Sequence, residues 1–227
     1  MLKKIAIQKG DFFKDLIQKM QKKNAPVGNL TPGEVLSLAE ELKVRASDIV
    51  IAEAMQKHNL RYEEVIQAVL DSFQFNLLAL EVGLSKGESF LLGKIGKELS
   101  SLQKKGTVLI GDRFIDKAVI YTLAAEVGNH QMGLQPCAGT GDSCVYTGLM
   151  RALLEKRLPQ QELGQLAALI IKIGTFFKEG KKTTGCNMEG IGAGATCTAA
   201  ALTELWKGSP KDVGRAMVLA LSPTIAV

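Results

Sequence analysis

Apolar residues recur at three- and four-residue intervals along almost the whole chain, and the alternating pattern of half-buried strands is nearly absent. Leu2, Ile5, Phe12, Phe13, Leu16, Ile17 and Met20 form the first stripe, with lysines between them. They predict a basic amphipathic helix within residues 1–30. Thr31-Pro-Gly-Glu34 then has the residues of a helix start: Thr31 can cap, Pro32 suits the first helical position, and Glu34 can close a capping box. Val35, Leu36, Leu38, Ala39 and Leu42 supply that helix's apolar face. Ser47-Asp48 opens another helix through about Lys57. A longer one is predicted from Tyr62 to Val82, ended by Gly83.

The middle is less regular. Gly83 to Gly87 and Gly93 to Gly96 interrupt the helical spacing, and Lys104-Lys-Gly106 marks a loop. Helical spacing resumes from Asp112 to Gly128, with Ile115, Val119, Ile120, Leu123 and Ala124 inward. Further helices are predicted from Tyr146 to Lys156, Gln160 to Phe177 and Thr198 to Trp206, and Ser209-Pro210 starts the last. The expected fold is all-α: the N-terminal helix of residues 1–30, then one compact helical domain over 31–227 in which Gly/Cys-rich loops form a site. The apolar end, Ala220 to Val227, is expected to be covered by a partner or by further residues of a longer chain.

Composition sharpens this picture in two ways. Aromatic residues make up only 5% of the chain, while Ala, Leu and Gly abound, so the helices should pack closely through small residues. The formal charge of +5 is also local. Seven lysines and two aspartates precede Asn24, which accounts for the whole excess and leaves the remainder near neutral. That basic start lacks the aromatic interleaving that stacks bases, which argues against nucleic acid. No signal-peptide pattern opens the chain, and no stretch reaches the ~18 apolar residues of a membrane span. A cytoplasmic protein with no membrane contact is expected, where clustered cysteines favour metal binding or catalysis over disulfides.

All four cysteines fall between 137 and 197, in segments dense in glycine. The segments read Pro136-Cys-Ala-Gly-Thr-Gly-Asp-Ser-Cys144 and Gly185-Cys186-Asn-Met-Glu189-Gly-Ile-Gly192-Ala-Gly-Ala-Thr-Cys197. Glycine lets a backbone approach a bulky ligand closely, and thiolates bind soft metals and clusters. Cys144, Cys186 and Cys197 suit an iron–sulfur cluster with one iron left open, whereas Cys137 as a fourth ligand would close it. Zinc is the alternative, without the CxxC pair of a structural zinc site; burial as small hydrophobes is another. Near them stand Glu189 and His130, with Lys182 in a polar run, as candidate proton-transfer groups. Asn129, Asp142 and Ser143 are candidate substrate contacts.

At these residues the chain resembles the alpha chain of iron–sulfur-dependent L-serine dehydratase (L-serine ammonia-lyase). Pro136-Cys-Ala-Gly through Cys144 is similar to that family's Pro-Thr-Ala-Gly-Ser-Cys-Gly loop, and Asn129-His-Gln-Met132-Gly133 to its Asn-x-x-Met-Gly. Gly185-Cys186-Asn-Met-Glu189-Gly-Ile-Gly192 resembles Gly-Cys-Gln-Ala-Glu-Val-Gly, and the small-residue run Ala199 to Leu202 follows in the same order. The resemblance implies a 4Fe–4S cluster used without redox change, whose open iron binds L-serine. A base would remove the α proton, the β-hydroxyl would leave as water, and aminoacrylate would yield pyruvate and ammonia.

The departures are also legible. Cys137 stands where the family has Thr, and Glu179-Gly-Lys-Lys-Thr-Thr replaces Asn-Ala-Ser-Ile-Ser-Gly. Leu221-Ser222-Pro223 replaces a Leu-Thr-Cys-Asp-Pro run, which gives Cys197 a ligand role. The His-containing motif of the family's other domain is missing, which implies a beta chain or domain, within a homodimer or heterotetramer. Two alternatives share the cysteines: a lyase acting on cysteine or another β-substituted amino acid, and a non-catalytic cluster-binding subunit.

Overall fold

The computed structural model describes residues 2–23, 28–86, 91–107, 112–132, 143–179 and 190–225, and the regular structure among them is helical throughout. In chain order the helices are α1 (Leu2–Lys22), α2 (Pro32–Leu42), α3 (Ala46–His58), α4 (Tyr62–Asp71), α5 (Gln74–Lys86) and α6 (Leu91–Lys104). There follow α7 (Arg113–Met132), α8 (Ser143–Glu155), α9 (Gln160–Glu179), a π-helical turn (Gly190–Gly194), α10 (Ala195–Leu205) and α11 (Pro210–Ile225).

Side-chain caps set several of the starts. The Thr31 hydroxyl accepts from Glu34 N at 3.2 Å, and the Glu34 carboxylate accepts from Thr31 N at 2.7 Å. Together they complete the expected capping box. Arg61 N donates to Glu64 at 2.8 Å, and Ser209 N to Asp212 at 3.0 Å. These bonds favour the charged carboxylate. The Thr31 backbone N–H holds Glu34 below the ordinary 4.5, Arg61 holds Glu64 below the same value, and Ser209 holds Asp212 below 3.8. The unfolded chain therefore takes up these protons at higher pH than the folded chain. The stabilisation is complete above the ordinary carboxylate values and is lost as pH falls through the folded ones. Denaturant unfolding between pH 7 and pH 3 should show a shallower acid decline in the triple variant Glu34→Gln/Glu64→Gln/Asp212→Asn than in the parent. Parallel declines would contradict the assignment.

Tertiary packing redrew the middle of the chain. The single helix expected from Tyr62 to Val82 is broken at Ser72 and Phe73, where Phe73 turns fully inside (0% exposed). Gly83 does not end α5, and Gly93 and Gly96 lie within α6 rather than interrupting it. The reason for Gly83 is contact: a Cβ there would sit 1.8 Å from the Ala124 carbonyl oxygen of α7. Reciprocally, a Cβ on Gly128 would sit 2.0 Å from the Ala79 carbonyl oxygen. Ala79 and Gly83 face Ala124 and Gly128, both pairs at four-residue spacing, so α5 and α7 cross backbone to backbone. Gly148 brings α8 equally close to Thr122 on the other side of α7, 2.5 Å from its backbone N to the Cβ position.

The expectation of no span-length apolar stretch is corrected. An 18-residue window within residues 62–85 reaches a mean hydropathy of 1.3, long and apolar enough to cross a membrane by length and composition alone, with 33% of that window buried. Its Leu, Val and Ala content serves packing at Phe73, Ala79 and Leu80, each 0% exposed.

The main core gathers α1 to α4 with α8 to α11. Phe13, Leu16 and Met20 anchor α1 in it, Phe13 stacked on Tyr62 at 4.8 Å between ring centroids. At its edge lies a polar network. Arg45 pairs with the buried Glu204 of α10 at 3.0 Å, Ser47 N donates to the same carboxylate at 3.1 Å, and Gln165 donates to Asp48 at 2.7 Å. Burial pushes the Asp48 carboxyl above its usual value, against the pull of its hydrogen bond from Arg45 N. Removing one partner of such a buried pair strands the other charge, at about 3–5 kcal/mol. The network thus fixes α10, the helix that carries Cys197, against α3 and α9.

Candidate active site

The end of α7, the start of α8 and the turn ahead of α10 frame the two described cysteines, Cys144 and Cys197. Two of the expected boundaries move outward: α7 runs past Gly128 to Met132, and α8 starts at Ser143 rather than Tyr146. Asn129 and His130 therefore sit on the last turns of α7, and Cys144 on the first turn of α8. The positive end of the α8 dipole favours negative charge on that sulfur.

Cys144 is half-buried against the cluster of Leu80, Ala124 and Ala125, on which Tyr121 also packs. Its thiol donates to Glu126 Oε2 at 2.7 Å, and Glu126 Oε1 lies 3.6 Å from His130 Nε2, one turn further along α7. The Tyr121 phenol is pushed up to about 12, by burial first and then by its hydrogen bond to Glu155. The cluster under the thiol is apolar, and the Glu126 carboxylate meets the sulfur as a charged group.

The next residue, Val145, reaches the chain that carries Cys197. Both its methyl groups lie 3.3 Å from the position of a Cβ on Gly194, the last residue of the π-helical turn. A larger residue at 194 would press on Val145 and part the two segments. Three residues on, Cys197 is fully buried (0% exposed) and its Sγ donates to Gly194 O at 3.3 Å. Thr196 Oγ1 likewise donates to Gly192 O at 2.5 Å. Side chains thus serve carbonyls of a wide turn, a form that recurs at functional sites.

The sequence profile of the family described as serine dehydratase alpha chain matches residues 41–225. The chain belongs to that family. A similar protein is the probable L-serine dehydratase, alpha chain, of Bacillus subtilis (strain 168), 26% identical over 202 residues. The match covers 83% of this chain and 65% of that relative, so the chain spans less than two thirds of the relative's length. No solved structure matches the chain.

Within this chain, the expected site residues fall into two groups. Cys144 and His130 meet through Glu126 where α8 begins against α7, with Asn129 next to His130 in the chain, and Cys197 follows three residues after Gly194, which approaches Val145. Cys137, Asp142, Lys182, Cys186 and Glu189 lie outside the described residues. Glu126 is the residue that sequence reasoning missed. Its signal was a carboxylate four positions before His130 on the otherwise apolar stretch of α7.

Among the described residues, no group of three His, Cys, Asp or Glu is placed to hold a metal ion. A metal site here therefore needs a donor from outside them, and Cys186 and Cys137 are the remaining thiols. The described donors are two thiols, one half-buried on α8 and one fully buried on α10, on segments that meet at Val145 and Gly194.

Proposed function

We propose that this chain is the cluster-bearing subunit of an iron–sulfur-dependent L-serine dehydratase, converting L-serine to pyruvate and ammonia in the cytoplasm with a beta chain or domain. The observation that carries the reading is the Cys144–Glu126–His130 grouping at the meeting of α7 and α8, within a family match over residues 41–225. Cys144, Cys186 and Cys197 would hold a 4Fe–4S cluster. When bound, such a group supplies a Lewis-acidic iron that eases loss of the β-hydroxyl.

The chain's own residues do the rest. Asn129, Ser143 and Asp142 orient serine by its polar groups. His130 and Glu126 form a pair able to hold and hand on a proton, with Glu189 and Lys182 beside Cys186 in sequence as the other carriers. Removal of the α proton and departure of the β-hydroxyl as water leave aminoacrylate. Its imine tautomer takes up water and releases ammonia. The apolar wall of Leu80, Ala124 and Ala125 limits water at the thiol, which strengthens local electrostatics.

Anaerobically purified chain should be brown, contain about four irons with matching sulfide per chain, and bleach in air. L-Serine should yield pyruvate and ammonia efficiently only when the beta chain is added. Stoichiometric zinc without acid-labile sulfide would overturn the cluster. Full turnover by the isolated chain would remove the need for a partner. A preference for cysteine in substrate competition would reassign the substrate.

A further inference from the structure

Away from the cysteines, a cavity of about 310 Å³ opens between α3, α4, α9 and the turn ahead of α2. It shares no described residue with the Cys144–Glu126–His130 grouping. Its size falls at the lower end of the ~300–1,000 Å³ range of small-molecule sites, enough for one small metabolite.

The lining has two characters. Val50, Val65, Val69, Ala168 and Ile171 make an apolar wall. Beside it lies an ion pair withdrawn from solvent: Lys172 Nζ is 2.8 Å from Glu53 Oε2, with side chains 18% and 6% exposed. Glu53 also accepts from Leu30 N at 2.7 Å. Both hydrogen-bonding contacts of Lys172 among the described residues go to Glu53. An ammonium carries three donors, and a carboxylate can accept about four bonds. Each pole therefore keeps capacity for a further partner. At the rim stand Lys57, bonded to Asn29 at 2.8 Å, and Glu179. The lysines and glutamates of the lining are two and two, so the site favours neither a net anion nor a net cation. A buried ion pair is weak as a stabilising device, because desolvation offsets its attraction. One that lines an open cavity beside an apolar wall has the make-up of a recognition element.

We infer that this cavity binds a free amino acid with an apolar side chain, separately from the residues proposed for catalysis. Lys172 and Lys57 receive the α-carboxylate, Glu53 receives the α-ammonium, and the Val50–Val65–Val69–Ile171 wall takes the side chain. The two poles and the wall are the three features that distinguish such a ligand from a simple acid, amine or hydrocarbon.

The test is calorimetric titration of the 227-residue chain with L-valine. Saturable binding in the micromolar-to-millimolar range is expected, with isobutylamine and 3-methylbutanoate at least tenfold weaker. Ala168→Leu, which fills the cavity, and the double variant Glu53→Gln/Lys172→Gln should each weaken valine at least tenfold. Lys57→Gln, at the exposed rim, should weaken it severalfold without touching the core, and so serves if the double variant fails to fold. Cys144→Ser should leave valine binding intact, which separates this site from the proposed serine site. Absence of valine binding to the folded parent would overturn the inference. So would equal binding of the one-charge analogues, undiminished binding in the folded cavity variants, or loss of binding in Cys144→Ser.

Discussion

Replacing Gly128 by alanine is expected to destabilise this chain severely, and Gly83→Ala/Gly128→Ala to prevent folding at ordinary temperatures. The added methyl groups would lie 2.0 Å from Ala79 O and 1.8 Å from Ala124 O, distances that no rotamer change relieves because the obstacle is backbone. The helices must separate, and a well-packed crossing resists that at about 1–3 kcal/mol or more per intrusion. Against a net stability of ~5–15 kcal/mol, two such intrusions remove much of the margin. A domain of this size loses roughly 2–4 °C of melting temperature per kcal/mol, so Gly128→Ala alone should lower it by several degrees to about 10 °C. Gly10→Ala is the control: nothing lies within 4 Å of its Cβ position. Alanine's helix preference should make that variant neutral or slightly more stable, by up to about 1 kcal/mol. Circular-dichroism melting of the three variants decides it, and a Gly128→Ala curve overlapping the parent's would refute the crossing.

Cys144→Ser, Cys186→Ser and Cys197→Ser are each expected to abolish iron retention and serine turnover while leaving the fold in place. Cys144 is half-buried beside Glu126, where a hydroxyl can donate as the thiol does. Cys197 is fully buried, and a serine there can keep the bond to Gly194 O, so its cost stays within about 1–3 kcal/mol. A hard alkoxide is a poor replacement for thiolate on iron, so the loss should appear in iron and sulfide content before any activity is measured. Cys137→Ser should be milder, since it stands where the resembled loop has Thr. Iron at the parent's level in Cys197→Ser would make that residue a packing group only. Equal loss in all four variants would mean a closed four-cysteine site and no open iron.

The glycine seam and the thiols meet in one place. Cys144 packs on Leu80, Ala124 and Ala125, the small-residue patch made accessible because α5 and α7 approach so closely. A bulkier crossing would move α7 and with it Glu126 and His130. The same residues that determine stability therefore set the spacing at the candidate site.

How much of this was legible beforehand differs from element to element. The capping box at Thr31 and the helix start at Ser209 could be read directly, since a cap is a bond between residues three apart and needs nothing from the rest of the chain. The all-α class followed from apolar spacing for the same local reason. The cysteines, His130 and Asn129 can be singled out as candidates from residue type and neighbourhood alone. Glycine was read wrongly. Its local preference is to end or interrupt a helix, which predicts breaks at Gly83, Gly93 and Gly96 and a loop at Cys144, where the structure has continuous helix and the first turn of α8. Only tertiary structure supplies the Ala124 and Ala79 carbonyls that make glycine the residue that fits inside a helix. Glu126 was equally invisible, being one carboxylate among many until α7 and α8 bring its oxygen within 2.7 Å of a thiol eighteen residues away. Local hydrogen bonding and periodicity act within a few residues and can be read from order alone. Contacts between distant segments depend on how helices cross, and side-chain volume at the crossing decides that.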